Sequence, residues 1–356
     1  MKSAFSAFFV IIVSFGCGLH QSIGLYIVFV VLLQPFVSER ECDFMIDVAC
    51  IGILVADVIA KPVDEIPKSG LLTRISSIET FSGGCAMNAA VDMAKIGINT
   101  AVLGKIGNDS FGDFLKNELI KYNVNTDGIA VDSEHQTSAS IVLSASCGER
   151  SFLHTVGANA EFCYEDINWD VIDKSKIVFV AGTMLMDKFD GEDCAKVLKR
   201  AKEMGKITVL DTAWDSRGRW MEVLAPCMPY IDVFLPSIEE AIELSGETEP
   251  EKIADKFFAD GVKQCASKLG SKGCYLRESK DAPGICVPVF KVDAVDTTGA
   301  GDSFCAGFLS GMVHGLSFEK CGEFANAVGA HCVLAKGAST GIKSFDEINK
   351  FIEANK

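Results

Sequence analysis

A glycine-rich turn joins an apolar extended stretch (285–289 and 292–295) to a helical one (301–314), and it reads Asp296-Thr-Thr-Gly-Ala-Gly-Asp302-Ser-Phe. Gly299 and Gly301 let the backbone turn sharply and approach a ligand closely. The first N–H groups of the following helix lack intrahelical partners and lie at the positive end of its dipole. Such a helix start is an anion site suited to phosphate. Asp302 sets a carboxylate beside it, and a base next to a phosphate cradle is what a hydroxyl needs to attack a γ-phosphate. The amides of Gly299, Ala300, Gly301 and Asp302 would hold the charge that develops on the transferring oxygens. The plainer reading is a strand-to-helix turn that Asp302 merely caps, and local residues leave both open. Further upstream, Ser237-Ile-Glu-Glu240 precedes an apolar helical pattern with the spacing of a capping box.

These residues need a frame. Strands are predicted at 46–54, 100–105, 177–181, 207–211, 231–235 and 262–267, and helices at 87–96, 111–121, 192–204, 251–259, 302–314 and 318–335. This alternation builds an α/β fold, a parallel sheet with helices on both faces. Two segments, 58–82 and 136–156, break the rhythm with alternating extended runs. They are expected to form a small β-sheet projecting from the main domain.

The 356 residues give room for one large α/β domain or two small ones. A formal net charge of -15 argues against a nucleic-acid partner, because a phosphate backbone requires a basic face. The 14 cysteines form no Cys-x-x-Cys pair and no Cys/His cluster with zinc spacing. Most lie in apolar segments, as Cys50, Cys265 and Cys305 do, and read as reduced thiols of a cytoplasmic protein. Residues 4–19 and 23–37 are apolar runs broken by His20-Gln-Ser22. Three readings are open for residues 1–44: a dispensable extension upstream of a true start at Met45, a membrane anchor facing the cytosol, or a secretory signal.

The turn at 296–302 resembles the C-terminal signature of the ribokinase-like (PfkB) family of sugar and nucleoside kinases. Gly83-Gly-Cys-Ala-Met-Asn88, running on to Gly97, is similar to that family's N-terminal signature, in which a glycine pair admits the sugar and the Asn begins a helix. Gly52-Ile-Leu-Val-Ala-Asp57, Gly157-Ala-Asn159 and Leu269-Gly270-Ser-Lys-Gly273 are further matches, in the family's order. The resemblance implies a ribokinase-like fold over 45–356: a mostly parallel central sheet with helices on both faces and a small β-sheet lid, built from 58–82 and 136–156, that expels water over the sugar. Residues 1–44 fall outside the length typical of the family, which favours the dispensable start.

The same resemblance implies ATP-dependent phosphorylation of a primary hydroxyl, with Asp302 as base. Asp57, Gly83, Gly84 and Asn88 would bind the sugar, with Asn159 on it or on the lid hinge. Lys268, Gly270, Gly273 and Asn326 would bind the nucleotide. Glu240 would order Mg²⁺ through water, and Asp296 would join a monovalent cation site open to K⁺. A homodimer through the lid is also open. Three departures stand out. Ser237 takes the place of an Asn, Cys85 that of a Lys, and His154 that of an Arg carried by kinases for acidic sugars or fructose. A weaker, pH-dependent cation at 154 points to a neutral sugar. The alternatives are a nucleoside kinase, with Phe81, Phe152 and Phe162 to cradle a base, and a catalytically inactive sugar sensor, against which the retained Asp302 argues.

Overall fold

The structure is a computed structural model that describes residues 46–355. The readings attached to residues 1–44 lie outside the described residues. Among the described residues no helix is long and apolar enough to cross a membrane.

The chain runs through β1 (Ile46–Gly52), β2 (Val55–Lys61), β3 (Ser77–Gly83), α1 (Cys85–Ile96), β4 (Thr100–Gly107), α2 (Ser110–Lys121) and β5 (Asn125–Asp132). There follow β6 (Ala139–Ser144), β7 (Arg150–Thr155), α3 (Trp169–Asp173), β8 (Ser175–Thr183), α4 (Glu192–Glu203), β9 (Ile207–Thr212) and α5 (Met221–Leu224). Next come β10 (Val233–Phe234), α6 (Ile238–Ser245), α7 (Pro250–Ala259), β11 (Gln264–Lys268), β12 (Cys274–Arg277) and β13 (Ile285–Val287). The last elements are α8 (Ala300–Val313), α9 (Phe318–Val333) and α10 (Phe345–Ala354).

Nine strands form the larger sheet, in the order β13-β12-β11-β10-β9-β8-β1-β4-β5. Every pairing is parallel except the two that β12 makes. β1 lies between β8 and β4, with Val48 opposite Ile177 and Thr100. Its side chains alternate between two cores. Val48 and Cys50 pack with Met87, Phe308 and Phe324 from α1, α8 and α9. Ala49 and Ile51 pack with Leu198 and Phe257 from α4 and α7. A strand buried on both faces reads as a continuous apolar run, which is why this one is plain in sequence.

The smaller sheet has four strands in the order β3-β2-β6-β7. β2 pairs antiparallel with β3 and parallel with β6, and β6 pairs antiparallel with β7. The register sets Phe81, Asp57, Ser140 and His154 in one row across it. Side chains so aligned share a face.

One extended stretch is shorter than expected. Of 285–295 only Ile285–Val287 pairs as a strand. Pro288 brings no N–H to continue the ladder, and Val289, Phe290 and Val292 line a cavity instead.

Candidate active site

The turn at the start of α8 is held open by its backbone. Gly299 stands at the N-cap position with φ 78°, in the left-handed region. A Cβ there would come within 2.5 Å of the Ala338 Cβ. Among the described residues no side chain caps this helix, so Asp302 does not serve as its cap. The Ala300 amide is taken up by the Thr297 carbonyl at 3.2 Å, which removes Ala300 from the expected set of anion donors. The amides of Gly299, Gly301 and Asp302 have no protein acceptor among the described residues.

Asp302 is half-buried, and its Oδ2 accepts a hydrogen bond from Asn88 Nδ2 at 2.8 Å. Burial pushes its carboxyl above the usual carboxylate range, while Asn88 and the Lys268 ammonium pull it back in part. Asn88 itself departs from expectation. α1 begins at Cys85, with Gly84 at the cap position, so Asn88 sits a turn inside the helix and cannot cap it. The glycine pair also has a local use. A Cβ on Gly83 would meet the Asp57 carboxylate, and one on Gly84, at φ 98°, would meet the Ile53 carbonyl.

Beside Asp302 lies a pair of buried charges. Lys268 Nζ donates to Asp211 Oδ1 at 2.7 Å, and the Cys305 thiol donates to Asp211 Oδ2 at 3.3 Å. Burial works against the Lys268 ammonium, but Asp211, Cys305 and Glu240 outweigh it and its pKa is raised. A Cβ on Gly301 would lie 3.6 Å from Lys268 Nζ, so this fixed cation sits at the glycine-rich turn. Sequence patterns single out Asp57 and pass over Asp211, though Asp211 carries the same signal: a carboxylate where a predicted strand ends.

On the side of the smaller sheet, His154 Nδ1 and Ser140 Oγ share a hydrogen bond of 3.1 Å. Burial raises the Asp57 carboxyl, against the pull of Ser140 and His154. Asn159 Nδ2 donates to the Leu54 carbonyl at 2.9 Å, and its Oδ1 accepts from the Leu54 amide at 3.2 Å. Its amide group is thereby engaged with the link between β1 and β2. Phe162 is core, 1% exposed and 5.0 Å from Phe189 between ring centroids, so it is not available to cradle a base.

A cavity of about 760 Å³ opens beside Asp302. Asp211, Glu240, Lys268 and Asp302 line one part of it, and Phe290, Val292, Ala325 and Val333 supply apolar lining. Gly270, Gly273 and Asn326 also line it. The Asn326 amide nitrogen donates to the Val287 and Pro288 carbonyls at 3.0 and 3.1 Å, which shapes the wall.

Glu240 does complete a capping box. Its Oε2 accepts from the Ser237 amide at 3.0 Å and from Thr212 Oγ1 at 2.9 Å. Oε1 has no protein donor among the described residues, so the site fits a hydrated Mg²⁺. Asp296 fits a monovalent cation poorly. Its Oδ1 accepts from the Thr298 amide and hydroxyl, and its Oδ2 from the Gly337 amide at 3.1 Å. The Arg150 guanidinium, reaching over from β7, lies 3.4 Å from Oδ2 and donates to Thr298 Oγ1 at 3.0 Å. Burial opposes ionisation of Asp296, yet these donors bring its carboxyl down to about 2.

Comparison with known proteins gives this geometry a context. The family described as pfkB family carbohydrate kinase matches residues 45–344. An uncharacterized sugar kinase of Pyrococcus horikoshii is 32% identical over 315 residues, covering 86% of this chain and 96% of its own. The structure of Arabidopsis thaliana ribokinase with ribose and ATP superposes with a TM-score of 0.75 at 27% identity, covering 86% of this chain and 98% of that one. A nucleoside kinase of Methanocaldococcus jannaschii gives 0.72 at 25% identity, over 86% and 98% of the two chains.

Proposed function

The chain belongs to the pfkB family of carbohydrate kinases, and on that premise we propose that it transfers the γ-phosphoryl group of ATP to a primary hydroxyl of a neutral sugar or sugar-like alcohol. The observation that carries this reading is the carboxylate of Asp302, held by Asn88 at 2.8 Å beside the unpaired amides of its own turn. Asp302 takes the proton of the substrate hydroxyl as that oxygen bonds to the γ-phosphorus and the bond to the ADP oxygen breaks. The amides of Gly299, Gly301 and Asp302, with the Lys268 ammonium, balance charge on the transferring oxygens. Mg²⁺, held through water by Glu240 Oε1, would neutralise charge on the phosphates. Asp57, Ser140 and His154 present paired donors and acceptors to sugar hydroxyls, and the smaller sheet acts as the lid. ATP consumption across a panel of sugars and nucleosides tests the assignment. Activity confined to nucleosides would overturn the sugar reading. Phe81 shares the row of Asp57, and that alignment is what favours the nucleoside alternative.

Glu240 supplies a separate test. Glu240→Gln keeps acceptors for Ser237 and Thr212, so thermal stability should hardly change. The Mg²⁺ concentration giving half-maximal rate should rise by ~10–100-fold, as for other outer-shell losses. An unchanged Mg²⁺ titration would leave the capping box as its whole role.

The opposite face of the smaller sheet supports the dimer. Ile78, Ile141 and Leu153 are 68%, 46% and 63% exposed there, and apolar residues grouped on one sheet face mark an interaction surface. A second copy covers it in this reading. Sedimentation should show a dimer for the parent and a monomer for Leu153→Glu, whereas a monomeric parent would refute it.

A further inference from the structure

α1 presents two polar side chains, one turn apart, to the start of α8. Asn88 holds Asp302. Asp92, four residues on, is fully buried, and its Oδ2 accepts a hydrogen bond from the Ser303 hydroxyl at 2.5 Å. Ser303 Oγ also lies 3.5 Å from the carbonyl of Ala338, the residue against which Gly299 packs. The Ser339 side chain also acts on this carboxyl, although Oδ1 makes no hydrogen bond of full geometry among the described residues. Its neighbours Ala90, Val91 and Met93 are core, where an alanine would fill the helix without the cost of burying an acid. A carboxyl group kept in such a place, bonded to the residue after the base, calls for a use.

We propose that Asp92 is a positioning residue for phosphoryl transfer, fixing the first turn of α8 through Ser303 while leaving the space behind the phosphate site uncharged. This rests on the reading of Asp302 and its turn as the transfer site. Neutral Asp92 donates its proton to Ser303 Oγ, whose own hydroxyl then turns to the Ala338 carbonyl. Ionised Asp92 draws the Ser303 proton to itself and releases Ala338. The two forms of the acid thus select two orientations of one hydroxyl at the base of the phosphate turn.

Burial lifts the Asp92 carboxyl to about 7, with the Ser303 and Ser339 hydroxyls pulling it back. The titratable groups around it are Asp302 on α8, Cys332 on α9 and Lys95 on its own helix. Asp302 raises it further and Lys95 lowers it. Lys95 Nζ is engaged with the Ser339 carbonyl at 2.6 Å. As pH rises through this range, a negative charge appears behind the anion site and phosphate is held less firmly. By reciprocity, bound phosphate favours the protonated acid.

The test is ADP binding by calorimetry from about pH 6 to about 8.5, on the full chain, for the parent, Asp92→Asn and Ser303→Ala. The parent's Kd for ADP should rise roughly three- to tenfold across that range, the effect of one partly screened charge. Asp92→Asn keeps the shape of the neutral acid and should remove Asp92's share of that rise. Ser303→Ala removes a hydroxyl that favours the carboxylate, so the midpoint of the rise should move to higher pH and kcat should fall at unchanged sugar KM. An Asp92→Asn profile that follows the parent at every pH overturns the proposal. Should that variant not fold, a Ser303→Ala variant with the parent's midpoint and kcat overturns it equally. Because ADP binding is read without turnover, a parent that phosphorylates nothing defeats the transfer reading and leaves the binding result to be judged separately.

Discussion

Asp302→Asn is expected to bind ADP and sugar with near-parent affinity and to lose turnover by ~10²–10⁴-fold, the usual contribution of a positioned base. Asn keeps the size of the side chain and an oxygen able to accept from Asn88 Nδ2, so the 2.8 Å contact that sets its orientation can persist. What disappears is the site that takes the proton. Removing a negative charge near the phosphates would, if anything, tighten ADP, so a loss of binding would mean misfolding rather than lost chemistry. The measurement is kcat together with Kd for both ligands. Turnover within about threefold of the parent would remove Asp302 from the role of base. In the parent, the raised carboxyl of Asp302 places the rise of kcat with pH above the range of an ordinary carboxylate, and that limb should vanish in the variant.

Lys268→Met carries the second large effect. The ammonium is fixed at 2.7 Å from Asp211 and close to Gly301, so it needs no reorganisation when charge builds on the phosphate. Loss of one such preorganised group typically costs ~10²–10³-fold in rate, and kcat/KM for ATP should fall by about that much. Stability responds separately. Removing one partner of a buried ion pair leaves an uncompensated charge, here Asp211. Burial already lifts that carboxyl to about 7 in the parent against the pull of Lys268, so losing the ammonium raises its folded pKa further, and it escapes the penalty by binding a proton. The stability so recovered is present at low pH and lost as pH rises through the folded pKa. Melting curves should therefore show the gap between variant and parent widening with pH. A gap that narrows would mean that Asp211 is not the group left unpaired.

How much of this could be read beforehand depends on what each residue type does locally. β1, β4, β8, β9 and β11 are buried on both faces, and their apolar runs announce them without help from the rest of the chain. Asp302, Gly299 and Gly301 carry a local signature because a helix start and its glycines are set by neighbours in sequence. Asn88 was legible as a site residue but not as a partner of Asp302. That contact joins residues 214 apart, and its geometry depends on how α1 lies against α8. Phe162 is ambiguous in sequence, an aromatic beside a predicted lid strand, and only its packing on Phe189 decides its place. Asp211 carries the strand-end signal in sequence, but its role depends on Lys268, 57 residues further on. Glu240 resists a single reading for a different reason: one oxygen caps the helix while the other has no protein donor among the described residues, and a residue letter does not separate two oxygens.

The bridge from Arg150 to Thr298 and Asp296 joins the smaller sheet to the turn before α8 through a side chain that is 41% exposed. An ion pair with that much solvent contributes little to folding stability. Its weight falls on communication. Arg150 shares β7 with His154 of the proposed sugar row, and Thr298 immediately precedes Gly299 of the proposed phosphate turn. Any ligand that steadies β7 lowers the entropic cost of forming the bridge, and a formed bridge steadies the turn. The two substrates then strengthen each other's binding by one and the same factor. If the bridge forms less often without an acceptor sugar, nucleotide would be held in a looser turn, and the enzyme would be poorly primed to cleave ATP when only water is there to receive the phosphate.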